Sequence, residues 1–168
     1  DPVVDGEDVL DGRHANQHIP QFTGYLRIHE GNQDADYYAA ARNFWDMVVP
    51  HRVYSHGGVG VGEMFRTRDV IAGSLYDDDN HAETCPLYNQ LKLSRNLFFH
   101  DPDPKYMNYY EQGLFNQILG SRRDVASTES PEVTYFVPVQ PGRRRGYGNI
   151  GTCCGGTGME NHTKYQDS

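Results

Sequence analysis

The stretch DADYYAAARNFWDMVVP, residues 34–50, decides how this chain folds. Tyr37, Ala40, Ala41, Phe44, Trp45 and Val48 recur at the three- and four-residue spacing that lines one side of an α-helix. Asp34 or Asp36 can cap the first turn, and Pro50 predicts the end. Upstream, Ile19, Phe22, Tyr25 and Leu26 repeat the spacing and predict a helix over 14–30, with Gly31-Asn32 as its stop. Downstream, Leu87, Leu91, Leu93, Leu97 and Phe98 predict a third helix from Ala82 to His100, with Pro86 tolerated in its first turn. Asp101-Pro102-Asp103-Pro104 reads as a turn, after which a fourth helix runs to about Leu119.

Asp34…Tyr37 and Asp103…Tyr106 occupy matched places in the two helix pairs, a pattern of αα-hairpins. Stacked hairpins form bundles, solenoids or closed toroids. The apolar faces are too extensive to bury in one small bundle, so further hairpins are expected beside these. Between the pairs lies a long irregular stretch, 54–81, with glycines at 57, 58, 60, 62 and 73. Loops of that length inside a domain are usually functional or disordered. The β-branched and aromatic run Val133–Val139 predicts a short strand, and a last helix is expected from about Met159. The fold class is therefore mainly α, with a short β segment.

With 168 residues the chain has the size of one domain. Its formal charge of −8 and lack of a basic stripe argue against a nucleic-acid partner. The one basic cluster, Arg143-Arg144-Arg145, reads as a solvated turn. No apolar run is long enough to span a bilayer, which argues against a membrane partner. Three cysteines, an odd number, exclude a complete disulfide framework and fit a reducing compartment or a metal site. The chain opens at Asp1 without a signal-like segment, so localisation stays open between cytoplasmic and secreted.

All three cysteines fall in two short motifs, AETC (82–85) and GTCCGGTGMEN (151–161). Adjacent cysteines rarely bridge each other, yet Cys153 and Cys154 can turn two sulfurs toward one ion. With Cys85 and Glu83 they make a three-sulfur, one-carboxylate set that suits four-coordinate zinc. The plainer alternative is three unrelated buried cysteines acting as small hydrophobes. Glu63, in the glycine-rich GVGEMF, is either a solvated loop acid or a general acid among apolar groups. His14 in GRHANQHIP is either a neighbour of a helix cap or a ligand-contacting imidazole. By its residues alone, Tyr135 is a core aromatic on a strand.

Taken in order, GRHANQHIP, GGVGVGEMF, AETC, YYEQGLFNQIL, TYFVP and GTCCGGTGMEN resemble glycoside hydrolase family 127, the β-L-arabinofuranosidases, and the related family 146. The resemblance runs from Leu10 to Tyr165 and implies part of an (α/α)6 toroid, since twelve helices exceed this length, with the family's β-sandwich absent. It further implies zinc held by Glu83, Cys85, Cys153 and Cys154, with Cys153 the nucleophile and Glu63 the acid/base. His14 and Tyr135 match sugar-contacting positions, and the substrates implied are glycans carrying L-arabinofuranosides. Two departures bear on the leaving-group preference: Gln17-His18 stands where the family more often has Thr-Gln, and Met64 where histidine is common. A non-catalytic zinc-stapled helical module and an inactive, truncated sugar-binding relative are the rival readings. A homo-oligomer would cover apolar faces left open by the truncation.

Overall fold

The computed structural model describes residues 1–77, 80–123, 132–148, 151–163 and 165. Its long elements are α1 (Ala15–Asn32), α2 (Ala35–Arg52), α4 (Thr84–His100), α5 (Pro104–Gly113) and α7 (Cys153–His162). A single turn, α3 (Ile71–Ser74), interrupts the long loop, and a π-helical turn (Leu114–Ile118) carries α5 into α6 (Leu119–Ser121). Both expected hairpins are present. Gln33 and Asp34 alone join α1 to α2, and the Asp34 carboxylate caps α2 by accepting from the Asp36 N–H at 3.0 Å. Phe22 stacks on Phe44 with ring centroids 3.9 Å apart, while Tyr25 meets Tyr37 edge-on, the register of an antiparallel pair. Asp103 caps α5 in the same way, its carboxylate accepting from Lys105 N–H.

The core lies where α1, α2, α4 and α5 face one another. Trp45 joins the hairpins, donating its indole N–H to Ser94 Oγ at 2.8 Å and packing edge-on against Tyr106. Gly113 lets α4 and the loop come close. A Cβ there would sit 2.8 Å from Leu87 Cδ1, and one on Gly57 would sit 2.6 Å from Gly113 Cα. Tyr109 pins the same loop by donating to the Gly57 carbonyl at 2.9 Å.

Several boundaries differ from expectation for identifiable reasons. α1 runs two residues past Glu30, through Gly31 and Asn32, before Gln33 caps it, held left-handed at φ 61° with its N–H on the His29 carbonyl. Pro50 does not end α2. The buried Arg52 guanidinium ties down the final turn by donating to Met47 O at 2.7 Å and pairing with Asp8 at 2.8 Å. The fourth helix does not run on regularly to Leu119 but takes the π turn, which brings buried Gln117 to the Ala82 carbonyl at 2.9 Å. The 133–139 run bends at Tyr135 and pairs through single antiparallel bridges, Arg122 with Val133 and Glu83 with Phe136, rather than forming the expected strand. Its partners are helix ends, and Pro138 has no N–H to offer. The last helix starts six residues before Met159 because Thr152 Oγ1 caps it, accepting from Gly155 N–H at 3.1 Å.

Candidate functional site

Two helix N-termini converge at the site. Glu83 is the N-cap of α4 and Cys85 lies in its first turn, while Cys153 and Cys154 open α7. The 133–139 segment bridges the gap: Thr84 N–H donates to Tyr135 O at 2.9 Å, and Val137 N–H to Ala82 O at 3.2 Å. Cys85 Sγ and Cys154 Sγ are 3.3 Å apart, and Glu83 Oε1 is 3.5 Å from Cys154 Sγ and 3.7 Å from Cys153 Sγ. All four donor atoms lie within 4.8 Å of one another. A tetrahedral ion with bonds of about 2.3 Å holds its ligand atoms roughly 3.8 Å apart, so the spread suits one zinc ion. Glu83 Oε2 is buried without a hydrogen-bond partner, an orphan that a cation would satisfy.

The electrostatics suit a site that binds a cation. Burial, with Glu63 nearby, pushes the Glu83 carboxyl above its ordinary pKa. The hydrogen bond from Cys154 pulls the Cys85 thiol down, the same contact holds the Cys154 thiol well up, and burial raises Cys153. Anionic donors crowded at one point hold protons that a metal ion would displace.

A second group meets this cluster on its open side. Glu83, Cys85 and Cys154 are buried, whereas Cys153 is exposed. Cys153 Sγ lies 3.5 Å from the Tyr135 hydroxyl, which donates to Glu63 Oε1 at 2.6 Å. His14 Nε2 sits 3.3 Å from the other Glu63 oxygen. Burial and the bond to Glu63 raise the Tyr135 phenol, so it stays a neutral donor. Glu63 is positioned by its backbone: the Ala15 N–H bonds to its carbonyl at 2.9 Å, and Met64 pairs with His14. Its φ of 69° is left-handed, as is that of Ala82 at 51°, beside Glu83. Such strain in residues other than glycine is typical of functional sites.

All seven residues singled out in the sequence thus come together. Thr157 was not among them. Its hydroxyl lies 3.1 Å from Cys85 Sγ, one helical turn along from Cys154. That spacing carries meaning only once α7 is known to begin at Cys153.

Among solved structures, the chain resembles a GH127 beta-arabinofuranosidase at 24% identity and a TM-score of 0.71, covering 94% of this chain and 24% of that one. A GH127 beta-L-arabinofuranosidase from Geobacillus stearothermophilus T6 matches at 22% identity and a TM-score of 0.68, covering 96% of this chain and 27% of that one. The mainly helical fold is therefore shared with these proteins, of which the chain spans about a quarter of the length. No curated protein matches. The family model described as Beta-L-arabinofuranosidase, GH127 catalytic domain matches residues 1–167, and the chain belongs to that family.

Proposed function

We propose that this chain carries the reaction centre of a zinc-dependent retaining glycosidase acting on β-L-arabinofuranosides. One observation carries the reading: the single exposed sulfur of the four-donor cluster faces a carboxylate across the Tyr135 hydroxyl. The two contacts keep Glu63 and Cys153 within about 6 Å of each other, against the roughly 5–5.5 Å of a retaining carboxylate pair. Zinc held by Glu83, Cys85, Cys153 and Cys154 would supply positive charge that keeps the sulfurs ionised at neutral pH.

The remaining roles belong to the chain's own side chains. Cys153 attacks the anomeric carbon while Glu63 gives a proton to the departing oxygen. Glu63 then takes a proton from the water that releases the sugar from sulfur. Tyr135 and His14 hold the Glu63 carboxylate from two sides. Burial of Glu83, Cys85 and Cys154 favours a second reading, a metal staple without chemistry. The two separate on a haloacetyl arabinosylamine reagent followed by peptide mass spectrometry. Labelling at Cys153, blocked by L-arabinose, supports the glycosidase. An adduct on Cys154 or a carboxylate overturns the mechanism, and no sugar-protected labelling favours the staple.

A further inference from the structure

The π turn and the segment after Tyr135 border an open cavity of about 560 Å³ lined by Asn116, Val137, Pro138, Tyr147 and the exposed Arg143, Arg144 and Arg145. We propose that this cavity binds the carboxylate of a uronic acid elsewhere on the glycan, so that the preferred substrates are acidic arabinose-bearing oligosaccharides. The inference rests on the glycosidase reading of the neighbouring site. In a chain of net charge −8 with 15 lysines and arginines, three consecutive arginines line this one space. The described residues lining it include no Asp or Glu. Arg145 donates to the Gly120 carbonyl and Arg143 Nε to Gln140 Oε1 at 3.1 Å. The Gly120 carbonyl is a neutral oxygen, so that bond orients Arg145 without cancelling its charge. A guanidinium fork matches a carboxylate in two parallel hydrogen bonds, which favours an acid group over a neutral hydroxyl.

The other walls suit a sugar. Val137, Pro138 and half-buried Tyr147 offer apolar surface to the C–H face of a ring, and Asn116 offers an amide. The volume falls in the range of small-ligand sites, roughly 300–1,000 Å³. The cavity also lies close to Tyr135 along the chain. Val137 and Pro138 follow Tyr135 by only two and three residues, so at a full reach of about 3.3–3.6 Å per residue Pro138 lies no more than roughly 11 Å from it. A glycan seated against Tyr135 would thus reach the arginines within one or two residues. Three charges in one pocket make a small footprint for a polyanion, which normally meets many phosphate contacts.

Calorimetric titration of the zinc-loaded chain with digalacturonate and with its neutral counterpart, digalactose, tests this directly. Digalacturonate should bind and digalactose should bind at least tenfold more weakly. R144Q and R145Q, each checked for an unchanged melting profile, should each weaken digalacturonate about tenfold, and added salt should do the same. Turnover of an arabinofuranoside with a uronate-bearing aglycone, relative to a neutral one, should fall in parallel. Equal binding of the two disaccharides, or indifference to both substitutions, overturns the proposal. Tighter binding of an oligonucleotide than of digalacturonate would overturn it too. Loss of all turnover with digalacturonate binding intact would instead sink the glycosidase reading and leave the anion site standing.

Discussion

At Glu63 a left-handed backbone, a tyrosine donor and an imidazole all act on one carboxylate. Replacing it with Gln keeps the shape and removes the proton, so turnover of alkyl glycosides should fall about 10²–10⁴-fold in steady-state kinetics. An activated aryl glycoside should restore the first step, seen as a burst, because a good leaving group needs no acid. Tyr135→Phe removes a hydrogen bond to a charged group, so kcat/KM should fall roughly 10–100-fold with zinc content unchanged. That the three cysteines and Glu83 form one cluster was legible from residue chemistry, since all four fall in two short motifs. His14 stood open between a cap neighbour and a ligand contact, and only the family resemblance set Tyr135 apart from core. A tyrosine in a β-branched run looks like core until Glu63, 72 positions away, is placed against it. Thr157 was hidden for a similar reason, its partner lying across the fold on α4.

Among the elements, α7 matters most to the site because its first turn carries two sulfurs. Thr152→Ala removes the cap on Gly155 and should cost about 1 kcal/mol by denaturant unfolding, with weaker zinc retention in a chelator competition. Gly113→Ala places a methyl 2.8 Å from Leu87 and should cost about 1–3 kcal/mol without touching the metal. The helices were legible because their apolar spacing is regular and Asp34 and Asp103 are strong caps. Their ends were less so. Arg52 overrides Pro50 through a tertiary bond to Asp8, and the π turn serves a contact between Gln117 and Ala82. Local sequence carries neither partner. The 133–139 run shows the same limit, since its hydrogen bonds go to Thr84, Ala82 and Ser121 rather than to a strand.

Over the whole molecule, the centre ties residues 83–85 to residues 153–154, segments that otherwise meet through α4 packed on α7. Metal bound only by the folded chain adds to stability. Chelation should therefore lower the melting temperature by at least about 5 °C, and Cys85→Ser should reproduce much of that loss. Among the described residues no helix is long and apolar enough to cross a membrane. The most direct test of the central claim is elemental analysis of the purified chain joined to X-ray absorption at the zinc edge. The account predicts one zinc per chain, with three sulfurs at about 2.3 Å and one oxygen at roughly 2.0–2.2 Å. A folded chain without zinc, or zinc bound by nitrogen or fewer than three sulfurs, would contradict it.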